Sequence, residues 1–157
     1  MSLTDAYIVF ELAGSAYGLR SEDVQHIDLL EHITRVPNTA PAVDGVVFAR
    51  GDVVPAIDLR TRFGLPRQAP TPATRLIFLR TQQRVVALIV DAARVFQRIP
   101  REAIRPVEDT LHGVEGNYVR GVATVKGRLV LLLDVAAVLR VDEIALPPGA
   151  AALQPAR

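Results

Sequence analysis

Short apolar runs separated by turn residues make up most of this chain. In Tyr7–Leu12 the residues Ile8, Phe10 and Leu12 alternate onto one face, which predicts a half-buried strand. Ala13-Gly14-Ser15 predicts a turn, and Ala16–Leu19 a returning strand. Ser21, followed by Glu22 and Asp23, predicts a capped single helical turn. Ile27–Leu30 and Ile33–Val36 read as a strand with a break, and Pro37–Ala42 as a loop.

Val46–Ala49 and Val53–Ile57 are β-branched runs joined at Arg50-Gly51-Asp52, a hairpin signature. Pro55 weakens the second run as a strand, or places it at an edge or a bulge. A short helix is expected over Leu59–Phe63, ended by Gly64, and the proline-rich segment Pro66–Thr74 is a linker candidate. The pattern then restarts. Leu76–Leu79 and Val85–Val90 predict a hairpin around Thr81-Gln82-Gln83, and Arg94–Ile99 a further strand. Pro100–Ile104 predicts a helical turn, and His112–Asn117 a glycine-rich loop. Tyr118–Val125 and Arg128–Leu133 predict a hairpin through Lys126-Gly127, followed by a short helix over Val135–Arg140. The Ala/Pro-rich end, Pro147–Arg157, is expected to be a flexible tail.

A repeat organises these elements. Val43–Leu59 aligns without gaps on Val119–Val135, offset by 76 residues, with six of seventeen positions identical. Among the identities are Gly45/Gly121, Gly51/Gly127 and Asp58/Asp134. Two copies of a strand-rich unit predict two similar small barrels. Units this small are marginal alone, so they are expected to share an apolar interface and unfold together.

Composition narrows the function classes. Of the 157 residues 50% are hydrophobic, enough for a real core. Eighteen basic and 17 acidic residues leave a net charge of +1, with no basic stripe to favour nucleic acid. The chain has no cysteine, hence no disulfide framework or thiolate site. The first residues lack a signal-peptide pattern, and no apolar run is long enough to span a bilayer, so no direct membrane insertion and a cytoplasmic location are expected.

Asp58, Asp91 and Asp134 each follow an apolar strand. Asp58 and Asp134 share a repeat position ahead of helical runs, which favours N-capping over catalysis; Asp91 stays open between turn and surface. His26, His32 and His112 lack metal-ligand spacing and read as surface or turn residues. There is no phosphate loop or nucleophile elbow, so no catalytic, cofactor or metal residue is expected. Arg50, on a rigid turn, is either an ordinary solvated arginine or a recognition residue whose planar fork meets a partner's carboxylates or carbonyls.

Across roughly Tyr7–Leu139 the chain resembles the CheW family. The resemblance is carried by Tyr7–Leu12, Tyr17-Gly18-Leu19, Val24-Gln25-His26-Ile27, Ile33–Pro37, Val43–Arg60, Val86–Asp91 and Gly121-Val122-Ala123. It implies an all-β fold of two SH3-like five-stranded barrels, over about 7–65 and 75–141, with exchange of strands between them left open and 142–157 as the tail. It implies a non-enzymatic adaptor that couples a chemoreceptor's cytoplasmic tip to the regulatory domain of the histidine kinase CheA, within receptor arrays. The receptor groove would involve Val24, Ile27, Gly45 and Arg50. His26 and Phe48-Ala49 depart from the family pattern and keep open a divergent chemosensory system, such as one for surface motility. A nucleic-acid-binding small barrel is the rival class.

Overall fold

The computed structural model describes residues 3–81, 84–107 and 118–139. The expected loop 112–117, with His112, and the expected tail lie outside these residues, as does the centre of the 81–83 turn. The strands are β1 (Thr4–Leu12), β2 (Ser15–Arg20), β3 (Val24–Leu29), β4 (Val43–Ala49), β5 (Asp52–Asp58), β6 (Arg75–Arg80), β7 (Val85–Val90), β8 (Ala92–Pro100), β9 (Ile104–Pro106), β10 (Val119–Val125) and β11 (Arg128–Leu133). Helices α1 (Leu59–Arg62) and α2 (Val135–Val138) are single turns, and two 3₁₀ turns cover Ser21–Asp23 and Arg101–Ala103.

Local chemistry explains the hairpins. Ala13-Gly14, Arg50-Gly51 and Lys126-Gly127 each hold two successive positive φ values, near 51° and 83°, 51° and 83°, and 52° and 77°. That geometry closes a two-residue hairpin with the strands' own twist, and glycine at the second place carries it without strain. The strands flank these turns directly, with Leu12 opposite Ser15, Ala49 opposite Asp52 and Val125 opposite Arg128.

The strands form two sheets, ordered β8-β1-β2-β11-β10-β9 and β3-β6-β7-β5-β4. The sheets cross the repeat boundary. Hairpin β1–β2, from the first half of the chain, completes the sheet of β8–β11 through parallel pairing of β2 with β11 (Tyr17 opposite Leu131). Hairpin β6–β7, from the second half, completes the sheet of β3–β5 through parallel pairing of β5 with β7 (Ile57 opposite Leu88). Each half thus lends its counterpart a hairpin, and neither can close a sheet alone.

The expected shared apolar interface is present. One cluster joins Phe10, Leu12, Tyr17 and Leu19 of the first sheet to Ile57, Ile77, Leu79 and Leu88 of the second. Aromatic rings run across it: Phe10 to Tyr17 at 5.7 Å, Tyr17 to Phe63 at 5.5 Å, and Phe63 to Tyr118 at 5.1 Å. Smaller cores fill each sheet's other face, around Tyr7, Ile99 and Leu132 in one and Phe78, Ala56 and Leu76 in the other. Asp91 ties the two sheets. It accepts from the Ala13 amide in the β1–β2 turn (2.8 Å) and from Arg60 Nε (2.9 Å) and Nη2 (2.7 Å) in α1.

Four local expectations differ. Ile33–Val36 is not a strand; Thr34 makes a single bridge to Val46. Ser21 opens its turn without a side-chain cap, Arg20 holding the cap position. Pro55 sits in β5 between β4 and β7, but pairing with β7 begins only at Ala56, so the missing N–H costs no ladder bond there. The first sheet gains a sixth strand because Ile104–Pro106 pairs with β10.

Candidate functional site

A groove of about 480 Å³ lies on the second sheet, away from the shared core. Strand β3, the β4–β5 hairpin and the segment 31–34 wall it, and Leu76 and Phe78 of β6 line it. Its floor is apolar (Val46, Val47, Val53) while Arg50, Asp28 and Glu31 bring charge to it. Phe48, 39% exposed, is an apolar side chain of the groove lining still open to solvent.

Arg50 stands on the tight turn that ends β4, so its backbone is held rigidly while its side chain is exposed. Its guanidinium makes no ion pair or hydrogen bond among the described residues. The matching turn of the first sheet has a different setting: there the Glu11 carboxylate takes both Arg94 and Arg128 (3.0 Å for the latter), and the two guanidiniums hold its carboxyl below the usual range.

His26 is not the surface or turn residue expected from spacing. It lies on β3 with its side chain only 15% exposed, stacked on Phe78 at 4.1 Å with planes 11° apart. Both ring nitrogens are buried without a hydrogen-bond partner, Nε2 standing 3.6 Å from Asp28 Oδ2. Burial, then the nearby Arg50 charge, push its pKa below the ordinary histidine value, against a smaller opposing pull from Asp28. Strand alternation on β3 would have turned His26 and Asp28 to one face, the signal that residue spacing alone passed over.

The other residues named from the resemblance are near the groove without lining it. Val24 packs against the shared core, and Ile27, opposite Ile77 and partly exposed, points away from the groove lining. Gly45 is buried behind the wall. At φ +155° its backbone passes so close to segment 33–34 that a Cβ would stand 2.2 Å from the Thr34 carbonyl oxygen. That approach permits the reciprocal bonds Thr34 N to Val46 O (2.9 Å) and Val46 N to Thr34 O (2.8 Å), which set the 31–34 wall.

The carboxylates weighed for chemistry are otherwise engaged. Asp58 accepts from the Arg60 amide (3.2 Å) and Thr61 Oγ1 (2.9 Å), and Asp134 from the Ala136 (3.0 Å) and Ala137 (3.4 Å) amides, each at the start of its helix. Among the described residues no group of three or more His, Asp or Glu side chains is placed to hold a metal ion, and no helix is long and apolar enough to cross a membrane.

The family model for the CheW-like domain matches residues 6–143. The chain belongs to the CheW-like domain family. It is 31% identical over 140 residues to the chemotaxis protein CheW of Klebsiella aerogenes, covering 89% of this chain and 84% of that one. It is likewise 31% identical over 132 residues to the chemotaxis protein CheW of Bacillus subtilis, covering 84% and 85%. The crystal structure of the scaffolding protein TtCheW from Thermoanaerobacter tengcongensis superposes with a TM-score of 0.83 at 26% identity, over 92% of this chain and 100% of that one. In this CheW-like chain the groove lies between β3 and the β4–β5 hairpin.

Proposed function

We propose that this CheW-like chain is a non-enzymatic adaptor that couples chemoreceptor tips to the regulatory domain of a CheA-type histidine kinase, in the cytoplasm at receptor arrays. The observation that carries the reading is the family match over residues 6–143, joined to a groove with a free arginine on a rigid hairpin. The apolar floor and Phe48 supply anchors, and Arg50 supplies a directional polar contact. Val24, Ile27 and Gly45 belong to the receptor-binding region in this reading, with Gly45 acting through the wall it positions. The kinase domain is held by strand-end surfaces elsewhere, so both partners bind at once. Receptor state then reaches the kinase through the geometry of the assembly.

Reconstitution tests this. Receptor-containing membranes and CheA are mixed with and without the protein, and CheA autophosphorylation is followed. Kinase activity should respond to receptor ligand only when the protein is present. Ligand control that is the same without it would overturn the adaptor reading.

A further inference from the structure

The ring of His26 is the one histidine side chain of the groove that is largely enclosed, and it is unsatisfied. A neutral imidazole has one donor and one acceptor, and here neither nitrogen has a hydrogen-bond partner. Leaving buried polar atoms unpaired is costly, and a ligand atom that pairs with them recovers that cost. The ring cannot turn freely to find its own partner, because Phe78 holds one face of it at 4.1 Å.

The charges around it define what would fit. Arg50 lines the same groove from the β4–β5 turn, with no carboxylate paired to it among the described residues. Asp28, on β3 itself, is 3.6 Å from Nε2 but is 65% exposed and so well hydrated. Glu31 and His32 line the groove from the following segment, His32 within 3.4 Å of Thr34 Oγ1. From β6 the apolar Phe78 stacks on the ring, and apolar Leu76 lines the groove beside it. The related corner of the first sheet gives a comparison inside the molecule: there one carboxylate, Glu11, receives two cations from β8 and β11. In the groove Arg50 is paired with neither of the acidic side chains that share the lining, Asp28 and Glu31, so among the described residues its guanidinium has no carboxylate of its own.

We infer that His26 and Arg50 together form a carboxylate-accepting subsite, and that His26 makes the groove specific for a partner presenting an Asp or Glu side chain there. This rests on the receptor-groove reading and names the chemistry of that contact. The carboxylate lies between the guanidinium and the imidazole, and His26 takes up a proton as it binds. The free ring is held neutral at pH 7 by burial and by Arg50. An incoming anion offsets both effects and raises the ring's pKa. Binding therefore tightens as pH falls through the bound-state pKa, by about tenfold for each unit by which binding raises it.

The probe is a chemoreceptor cytoplasmic-tip hairpin fragment, with each Asp and Glu of its tip changed singly to Asn or Gln. Affinity is measured by calorimetry at pH 5.5, 6.5 and 8.0, in buffers of different ionisation enthalpy that report proton uptake. Wild type should bind the parent fragment at least about fivefold more tightly at pH 6.5 than at pH 8.0, with net proton uptake. One amide variant of the fragment should lose that dependence. His26→Gln should lose it too, and His26→Phe, which keeps the stack on Phe78, should bind weakly at every pH. Arg50-dependent binding that is indifferent to pH and unchanged in His26→Phe would overturn this inference while leaving the receptor-groove reading standing. Absence of binding by folded wild type at every pH would overturn both.

Discussion

Replacing Gly45 by alanine tests how the groove wall is built. The new Cβ would lie 2.2 Å from Thr34 O, 2.7 Å from Ile33 Cγ2 and 2.8 Å from Thr34 C, so the backbone of segment 33–34 must move. Two costs add. Holding a side chain at φ +155° stores roughly 1–3 kcal/mol of strain. Separating Thr34 from Val46 forfeits two backbone hydrogen bonds, each worth about 0.5–1.5 kcal/mol net. The expected loss is about 2–6 kcal/mol, a large part of the roughly 5–15 kcal/mol that holds a domain folded. Gly121, the repeat partner, is the control. Its added Cβ would meet the movable Ile104 Cγ2 at 2.9 Å and the Arg105 carbonyl oxygen at 3.2 Å, so Gly121→Ala should cost about 1 kcal/mol. Urea unfolding followed by circular dichroism measures both. A Gly45→Ala protein within about 0.5 kcal/mol of wild type would refute the close-approach argument. So would equal losses at the two glycines. A destabilised Gly45→Ala protein that also loses a groove partner would have lost it through the displaced 31–34 wall, because Gly45 itself does not line the groove.

Asp58→Ala and Asp134→Ala should each cost about 0.5–2 kcal/mol in the same assay, as lost helix caps. Asp58 should cost more, since it is buried and also accepts from Thr61, whereas Asp134 is exposed; the reverse order would show that burial does not set the scale. Asp91 links pH to sheet packing. Arg60 holds its carboxyl below the usual range, so its stabilisation is present above the unfolded-state pKa and is lost as pH falls through the folded-state value. The wild-type urea midpoint should therefore fall below about pH 4, and Asp91→Asn should have a lower midpoint at pH 7 and a shallower acid limb. An acid limb as steep as wild type in Asp91→Asn would place the titration elsewhere.

Much of the architecture is legible before any coordinates, for a local reason. The Ala13-Gly14, Arg50-Gly51 and Lys126-Gly127 turns and the alternation around them are short-range features, and three hairpins follow from them. The shared core was legible in the repeat, because two small units with this much apolar residue must bury it together. The reciprocal hairpin exchange is not written locally. Tyr17 and Ile57 have the same alternation whichever strand lies beside them, and the parallel β2–β11 and β5–β7 pairings join residues far apart in sequence. Asp91 was ambiguous because its partners, Ala13 and Arg60, are 78 and 31 residues away. In the groove, Arg50 was visible from its turn. His26 has the spacing of a surface or turn histidine, and nothing in that spacing reveals Phe78 beneath the ring.

Binding of Arg50→Glu tests the central claim most directly. Arg50 and Lys126 occupy matching turns with φ 51° and 52°, so Lys126→Glu carries the same charge change in the same backbone geometry on the other sheet. Each variant, shown folded by circular dichroism, is titrated separately with a receptor tip fragment and with the kinase regulatory domain. Reversing a charge that pairs across an interface costs several kcal/mol, so Arg50→Glu should bind the receptor fragment at least about tenfold more weakly and the kinase domain as wild type does. Lys126→Glu should bind the receptor fragment like wild type. Normal receptor binding by Arg50→Glu, or equal damage from Lys126→Glu, would contradict the assignment of the receptor to this groove.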